Sequence, residues 1–415
     1  MMKRERPPRD LGRPLSKVVK LFYFTAFLLL FLRDFAWQGL LLAVAVPVMI
    51  SLTTDWLPRL FPCDKLLLSL TNFLCALGVL VLYDTNPTYA YHQAMYYGVG
   101  LGAMVVCIYL VRLIRRWDVL IWLMIPVSLL LLALPLRIGQ ETFGAKNWFY
   151  IGSVSVQPSE IVKLSLLLII AHFMSRRRML PWLGFAVCCL GLLMLQKDLG
   201  TALLYYGVTL LIYFASSGNL GMTGLGLAGG AGAAVMGYRM FSHVKRRVAI
   251  WLNPFADYDN AGYQIVQSLM AIASGGMLGL GLGLGSPRTI PVYHTDFIFS
   301  VICEQFGLIF GLCVLLMYVA LIWRGATTAM AARSSFHGLL AMGCTVLISL
   351  QTFVIIGGVI KLIPLTGVTM PFVSYGGTSL VSSLCVIGLL QGVASLNEDD
   401  LEEDTQLALL GGDGA

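Results

Sequence analysis

Residues 119–136 read VLIWLMIPVSLLLLALPL, a run of 18 residues without a charged side chain. About 20 residues, each rising 1.5 Å along a helix, cross the hydrocarbon core of a bilayer. Membrane-spanning β-strands would instead show short segments of alternating polarity. The run therefore predicts an α-helix that spans a membrane.

The composition of the whole chain agrees with this prediction. Of 415 residues, 58% are hydrophobic and only 12% are charged, and the mean hydropathy is +0.82. A soluble globular protein carries about 25% charged residues, so this chain cannot cover a water-exposed surface. We predict an all-α polytopic membrane protein with twelve apolar segments, near 18–34, 36–53, 66–84, 92–112, 118–136, 159–174, 181–195, 200–216, 219–237, 297–323, 337–360 and 375–394.

The arginines in the short loops predict the orientation, because cytoplasmic loops carry an excess of Lys and Arg. The basic N-terminus lacks a signal-peptide cleavage site and is interpreted as a cytoplasmic arm. With twelve segments, both termini are then cytoplasmic, and the acidic stretch 397–406 (NEDDLEEDTQ) is predicted to be a solvated, disordered end. This orientation also places the basic loop residues inside: Arg112, Arg115, Arg116, Arg176, Arg177, Arg178, Arg324 and Arg333.

Three long connections, 137–158, 238–296 and 361–374, then lie outside, and long loops are often functional. Within the longest, residues 263–273 (YQIVQSLMAIA) are amphipathic enough for a helix at the membrane interface. The glycines at 275–285 follow no strand and lack a P-loop lysine, so we interpret them as flexible backbone close to other segments. The nine cysteines show no metal-binding spacing and are interpreted as small apolar residues in helices.

Charges in or beside spanning helices are costly and therefore informative. Glu160 and Lys163 share a helix face and are either functional or a buried structural pair. Asp296 is either functional or the cap of a helix that begins at Phe297. Glu304 lies too deep to be a cap, so it must be paired, protonated or facing water. Eight residues correspond to ~12 Å of rise and about 80° of rotation, so Asp296 and Glu304 are not expected to form a close carboxylate pair.

Two more polar features lie near these charges. His294 is expected to be a hydrogen-bonding neighbour of Asp296 rather than a metal ligand, because no second histidine is near. Lys197 and Asp198 stand together where a helix begins. The basic run 245–247 lies outside, where it is either a solvated face or a contact for an anionic lipid head group.

Five extended stretches carry a resemblance to a known family. They are GAKNWFYIGSVSVQPSEIVK (144–163), QKDLGTA (196–202), RRVAIWLNPFADYDNAGYQIVQSLMAIASGG (246–276), HTDFIFSVICEQFG (294–307) and IPLTGVTMPFVSYGGTSL (363–380). In order and loop placement they resemble the SEDS family (FtsW, RodA, SpoVE) over roughly residues 66–395. The resemblance implies a glycosyltransferase that polymerises lipid II into peptidoglycan glycan strands outside the bacterial cytoplasmic membrane, in division, elongation or sporulation.

The resemblance also assigns roles to residues. Asp296 looks like the family's catalytic aspartate, and Lys163, Glu160, Glu304 and His294 are supporting candidates. The candidates for substrate binding are Lys146, Trp148, Lys197, Arg246, Arg247, Gln264 and Gln267. The chain departs from the family pattern at Asn147, Val292 and Gln305, whose family roles therefore cannot be transferred.

The resemblance further implies a division of the chain. Residues 1–17 would be a cytoplasmic arm, and 18–56 a transmembrane hairpin added to the ten-helix family core. The core itself would cover 57–395, with its large extracellular loop at 238–296. Residues 396–415 would be the acidic cytoplasmic tail.

The chemistry expected of such an enzyme is limited, because a pyrophosphate is already a good leaving group. A base must accept the proton of the acceptor sugar hydroxyl, and positive charge must hold the pyrophosphate. We expect Asp296 to be the base, ionised with an ordinary pKa of ~3.9 and with Lys163 nearby favouring that form. Lys146, Lys197, Arg246 and Arg247 are candidates for the pyrophosphate contact. A divalent cation, Mg²⁺ or Mn²⁺, is the alternative, and the metal requirement stays open.

The expected partners are a class B penicillin-binding protein acting as transpeptidase and other divisome or elongasome proteins, with no nucleic acid. Two other functions remain open. A lipid-precursor flippase or ion-coupled transporter would use Glu304, Lys163 and the glycine-rich helices as a pathway. A non-catalytic scaffold for the wall-synthesis complex would not need Asp296. The concentration of polar motifs on one outer face favours the enzyme.

Overall fold

A computed structural model describes residues 12–114, 116–142, 145–152, 154–258 and 262–411. The described residues contain fourteen α-helices and one small sheet. The helices are α1 Gly12–Asp34, α2 Trp37–Ser51, α3 Lys65–Thr85, α4 Pro87–Leu113, α5 Asp118–Ile138, α6 Pro158–Ser175, α7 Met179–Leu195, α8 Leu199–Ser217, α9 Leu220–Met240, α10 Ser242–Leu252, α11 Tyr263–Gly275, α12 Ile298–Ala331, α13 Ser335–Val359 and α14 Gly377–Gly411. The strands are β1 Gln140–Thr142, β2 Ala145–Ile151 and β3 Val154–Val156.

Each of the twelve predicted apolar segments coincides with a helix, which confirms an all-α polytopic membrane protein. Among the described residues, ten helices are long and apolar enough to cross a membrane. The helices α1 and α7 fall outside these ten, and α7 has only 17 residues. The amphipathic stretch 263–273 forms α11, as predicted.

The most buried spanning helices are α3, α6, α13 and α14, and α4 packs along α14. Close packing of α14 on α4 depends on glycine, since a β-carbon at Gly388 would lie 2.5 Å from the Met104 carbonyl oxygen. One at Gly392 would lie 2.7 Å from Val111 Cβ. Small residues let helix backbones approach in lipid, where no hydrophobic effect drives helix association. Gly388 and Gly392 therefore allow α14 to lie directly against α4.

Two of the long connections are more ordered than the sequence indicated. The connection 137–158 contains the antiparallel sheet β1–β2–β3, which we did not predict. The connection 238–296 is not one long loop, because α9 reaches Met240 and α10 and α11 follow. The basic run 245–247 therefore lies on a helix, α10.

The N-terminal hairpin α1–α2 packs against α3 through polar contacts. The Tyr23 hydroxyl donates to the Phe73 carbonyl oxygen at 2.8 Å, and Asn72 donates to the Thr53 hydroxyl at 2.7 Å. At the far end of α1, Arg33 Nη1 donates to Asp84 Oδ1 at 2.9 Å. Buried polar groups need such partners, so these bonds define one docking position for the hairpin.

The acidic tail corrects a prediction. Residues 397–406 were predicted to be disordered, but they continue α14. Ion pairs hold this extension: Arg112 contacts Asp399 at 2.9 Å, and Arg333 pairs with Asp404. The prediction failed because it counted acidic charge without the arginines at the same end of the bundle. The first eleven residues of the N-terminal arm, Arg115 and the last four residues of the tail lie outside the described residues.

Candidate active site

Asp296 lies just before α12, in a segment that is fixed by backbone hydrogen bonds. Ser374 Oγ donates to the Thr295 carbonyl oxygen at 2.6 Å, and the Tyr375 amide donates to the His294 carbonyl oxygen at 2.9 Å. The N-cap of α12 is Phe297, with no side-chain capping bond. The helix-cap interpretation of Asp296 is therefore wrong, and its partly buried carboxyl is available for another role.

Arg247 is the cation that acts on Asp296. It lies on α10, and its Nη1 donates to the Thr366 carbonyl oxygen at 2.9 Å. The next residue, Gly367, has φ +76°, and a β-carbon there would lie 3.7 Å from Asp296 Oδ2 and 3.8 Å from Arg247 Nη2. Glycine adopts this backbone conformation without strain. The Asp296 carboxyl and the Arg247 guanidinium therefore both lie close to Gly367, which has no side chain.

The pKa of Asp296 differs from the sequence-based expectation. Burial raises the pKa of this carboxyl from its ordinary 3.8 to about 6, while a hydrogen bond with Thr295 and the charge of Arg247 act in the opposite direction. Burial likewise lowers the pKa of Arg247, against the charges of Asp296 and Asp198. The expected pKa of ~3.9 for Asp296 was wrong, because it left out the cost of desolvating the carboxylate.

A second carboxylate, Asp198, faces the same region. It is the N-cap of α8 and accepts a hydrogen bond from the Thr201 amide at 3.1 Å. Its other oxygen accepts from Asn147 Nδ2 at 2.8 Å and from Gln157 Nε2 at 3.3 Å. Asn147, whose family role could not be transferred, thus ties β2 to the start of α8.

Lys163 is not the cation beside Asp296. Its ammonium pairs with Glu160 one helical turn away, and both side chains are largely buried. Glu160 in turn accepts a hydrogen bond from the Ser382 hydroxyl at 2.6 Å. The shared helix face is confirmed, but the expected pairing of Lys163 with Asp296 is replaced by a link between α6 and α14. A supporting role for either residue stays a prediction.

His294 also differs from expectation. No hydrogen bond joins it to Asp296 within the described part of the chain, and its buried Nδ1 has no partner there. Its ring instead packs on Tyr89, with centroids 4.7 Å apart, and on Tyr375 at 5.7 Å. The aromatic contacts hold the HTD segment in place.

Glu304 and Gln305 organise the glycine-rich loop rather than the Asp296 cluster. The buried Glu304 Oε1 accepts from the Ser286 amide at 2.9 Å, and its carbonyl oxygen accepts from Leu280 at 3.0 Å. Gln305 Nε2 donates to Asp84 Oδ2 at 2.6 Å. The predicted closeness of this loop to other segments is confirmed, since a β-carbon at Gly279 would clash with the Gln305 carbonyl oxygen. The predicted flexibility is wrong, because the loop is hydrogen-bonded to α12.

The remaining candidates are exposed or half-buried. Lys146, Lys197 and Arg246 are exposed, and Trp148 is half-buried. On α11, Gln264 is half-buried and Gln267 Nε2 donates to the Tyr258 hydroxyl at 3.2 Å. The position Gly144 and residues 259–261 of the quoted motifs lie outside the described residues.

The donor set does not form a protein-only metal site. In the described ranges, no group of three or more His, Cys, Asp or Glu side chains is arranged to hold a metal ion. All nine cysteines are free. Mg²⁺ is often held by one or two carboxylates together with substrate phosphates, but the charge beside Asp296 is the cation Arg247. We derive no step through a metal.

Most residues around Asp296 were predicted from the sequence, but their contacts with one another were not. Not predicted as site residues were Asp198, Asn147, Thr366 and Gly367, although each lies in a quoted motif. Their position in those motifs was the available signal. Which cation would face Asp296 depended on how α10 folds back over the connection 361–374, and helix spacing carries no information about that.

These features define a class: a multi-pass membrane protein with a partly buried carboxyl, Asp296, and an exposed cation, Arg247, near it at one end of the helix bundle. The chain matches the FTSW_RODA_SPOVE family, described as cell cycle protein, over residues 64–399. It belongs to this family. The match begins after α1–α2, so the N-terminal hairpin precedes the matched region.

Curated relatives of this chain carry the names of the same family. Peptidoglycan glycosyltransferase RodA of Mycobacterium tuberculosis (strain ATCC 25618 / H37Rv) is 33% identical over 368 residues, covering 80% of this chain and 78% of the relative. Stage V sporulation protein E of Bacillus subtilis is 32% identical, covering 80% and 96%.

Two solved structures have a similar fold. One, described as the structural coordination of polymerization and crosslinking by a peptidoglycan synthase complex, superposes with TM-score 0.68 and 29% identity, covering 81% of this chain and 98% of that one. The crystal structure of the Thermus thermophilus rod shape determining protein RodA gives TM-score 0.59 and 28% identity, covering 81% and 98%. The similarity therefore extends over almost the whole length of both solved chains.

Proposed function

We propose that this chain is a peptidoglycan glycosyltransferase that polymerises lipid II, with Asp296 and Arg247 at the centre of its reaction site. The glycosyltransferase activity follows from family membership and from relatives that carry this name. The assignment of residues rests on one observation. Burial raises the pKa of the Asp296 carboxyl to about 6. This carboxyl and the Arg247 guanidinium both lie near Gly367, which places no side chain between them.

In this mechanism Asp296 is the general base. The acceptor sugar hydroxyl gives its proton to the Asp296 carboxylate as its oxygen forms a bond to the anomeric carbon of the donor. The bond from that carbon to the pyrophosphate breaks, and the undecaprenyl pyrophosphate leaves with the electron pair. A pKa near the working pH suits a base, because it combines a useful ionised fraction with proton affinity. One displacement without a covalent intermediate inverts the anomeric centre.

Arg247 is the group that would hold the leaving pyrophosphate. A guanidinium presents several N–H donors in a planar fork that matches phosphate oxygens. Arg247 uses Nη1 for the Thr366 carbonyl oxygen, which fixes its direction and leaves other donors for a ligand. Lys146, Lys197 and Arg246 are exposed, and they would add positive charge for the pyrophosphate. Trp148, Gln264 and Gln267 would contact the sugars or the peptide.

We place the reaction at the outer face of the bacterial cytoplasmic membrane, with both termini in the cytoplasm. The arginine-rich ends of α4 and α6 lie at the opposite end of the bundle from Asp296, in agreement with the positive-inside rule. We further propose a class B penicillin-binding protein as the transpeptidase partner. A peptidoglycan synthase complex contains a chain with this fold. A requirement for Mg²⁺ or Mn²⁺ stays a prediction, to be tested by adding and chelating each ion.

The decisive experiment is incubation of the purified protein with lipid II, with and without a class B penicillin-binding protein, followed by gel analysis of glycan. Long glycan that disappears in Asp296→Asn supports the proposal. Movement of lipid II across vesicles without any polymer would favour a flippase. Polymer formed equally by Asp296→Ala would favour a scaffold that accompanies another polymerase.

A further inference from the structure

A cavity lined by polar and apolar residues lies at the end of the bundle opposite Asp296. It has a volume of about 490 Å³ and lies where α4 and α6 end and α13 begins. A cavity of this size is in the range that binds small molecules. It shares no residue with the reaction site described above, and the charge distribution predicts that it faces the cytoplasm.

Two residues that line this cavity each carry a buried side-chain nitrogen without a hydrogen-bond partner in the described chain. The two atoms are Trp117 Nε1 and His337 Nε2. Trp117 is only 6% exposed, and its indole nitrogen can only donate. A buried donor without a partner costs about 1–3 kcal/mol. The pair of unpartnered nitrogens therefore indicates a ligand that accepts hydrogen bonds.

The charge of the lining indicates the kind of acceptor. Arg112 and Arg176 line the cavity, and none of its described lining residues is acidic. Their carboxylate partners, Asp399 and Asp118, lie outside the lining. A guanidinium carries five N–H donors, so these ion pairs leave donors available on each arginine. Two guanidiniums, the indole donor of Trp117 and the His337 imidazole, whose Nε2 donates in one tautomer, form a set suited to an anion with several oxygens.

The lining also has an apolar part, formed by Val111, Ile114, Phe336 and Leu396, beside the polar His172, Ser175 and Ser334. A small inorganic anion would leave this surface unused, whereas a lipid would cover it. Basic pockets between spanning helices on the cytoplasmic side suit the head groups of anionic lipids. We propose that this cavity binds the phosphate of an anionic phospholipid, with Trp117, His337, Arg112 and Arg176 as its contacts.

Binding can be measured on the full-length protein in detergent by native mass spectrometry. The protein is titrated with dioleoyl phosphatidylglycerol, with dioleoyl phosphatidylcholine, and with inorganic phosphate as a competitor. We expect one phosphatidylglycerol to bind at least about tenfold more tightly than phosphatidylcholine, because charge-assisted hydrogen bonds are strong. Displacement of that lipid by millimolar phosphate would support the site and show that it also accepts free phosphate.

Variants locate the binding. Arg112→Gln combined with Arg176→Gln should weaken phosphatidylglycerol binding at least about tenfold. Trp117→Phe removes one donor but keeps the ring, so it should fold and weaken binding by a smaller factor. The matched control is Arg116→Gln, an exposed arginine that does not line the cavity, and it should bind like the wild type. Equal affinity for the two lipids, or unchanged binding in both Trp117→Phe and the double variant, would overturn the proposal.

Discussion

Arg247 and Asp296 approach the same glycine from different parts of the chain. A β-carbon at Gly367 would lie within 4 Å of a terminal nitrogen of Arg247 and an oxygen of Asp296. The two residues are contributed by α10 and by the segment before α12, and the glycine by the connection 361–374. This arrangement therefore brings together three of the motifs that carry the family resemblance.

Asp296→Asn should lower polymerisation by about 10²–10⁴-fold, the usual contribution of a general base. An amide is similar in shape but cannot accept the proton. The folded fraction should not fall. Because burial raises the pKa of Asp296 from 3.8 to about 6, its charge costs stability progressively as the pH rises between these two values and fully above them, and this cost is absent at low pH and absent in the Asn variant. Thermal unfolding at pH 8 and glycan gels measure both effects. Substantial polymer from Asp296→Asn would contradict the role.

The pH profile tests Arg247. In the wild type, polymerisation should rise as the pH increases through about 6, because the carboxylate is the active form. Arg247→Gln removes the positive charge that favours the carboxylate, so the apparent pKa should move upward. Activity at saturating pH should also fall through weaker pyrophosphate binding. Arg246→Gln, an exposed neighbour, serves as the control and should keep the wild-type midpoint. An unshifted midpoint in Arg247→Gln would show that its charge does not act on Asp296.

Lys163→Met tests a structural pair. The change leaves Glu160 buried without its cation, which typically costs ~3–5 kcal/mol. Because Lys163 pairs with Glu160 rather than with Asp296, the pH midpoint of activity per folded molecule should stay unchanged. Thermal unfolding and pH–activity curves, normalised to folded protein, measure the two effects. A shifted midpoint would restore the role in ionising Asp296 that the sequence first indicated.

Arg33 should anchor the N-terminal hairpin. Its partner Asp84 has a side chain only 3% exposed, so Arg33→Ala leaves a buried carboxylate with one partner fewer. We expect a loss of about 1–3 kcal/mol. The matched control is Lys20→Ala, which breaks the more exposed Lys20–Asp55 pair of the same hairpin and should cost less than about 1 kcal/mol. Equal losses of thermal stability in both variants would contradict the anchoring role.

Topology can be measured by cysteine labelling in intact cells, on a chain whose nine native cysteines have been replaced. Single cysteines at Lys361 should react with an impermeant reagent from outside. Cysteines at Arg177 and Arg333 should react only after the cells are opened, because arginine-rich loops stay inside. Labelling of Arg177 from outside would reverse the orientation and with it the placement of the reaction site. Equivalent positions at Gly144 and Asp259 lie outside the described residues.

The class of fold and the family could both be predicted from the amino-acid sequence. Long uncharged runs such as 119–136 leave lipid as the only suitable solvent, and helix length follows from bilayer thickness. The sequence also placed Asp296 and Arg247 among the candidates and put Glu160 and Lys163 on one helix face, since both inferences depend only on motifs and on helical spacing.

Which charged side chains meet became clear only from the packed helices. Lys163 and Arg247 are both cations in family motifs, and nothing in their spacing shows that one faces Glu160 and the other Asp296. The raised pKa of Asp296 depends on burial by distant segments, and the helical acidic tail depends on arginines remote in sequence. Local spacing fixes contacts within one helix, whereas desolvation and long-range ion pairs exist only after the helices pack.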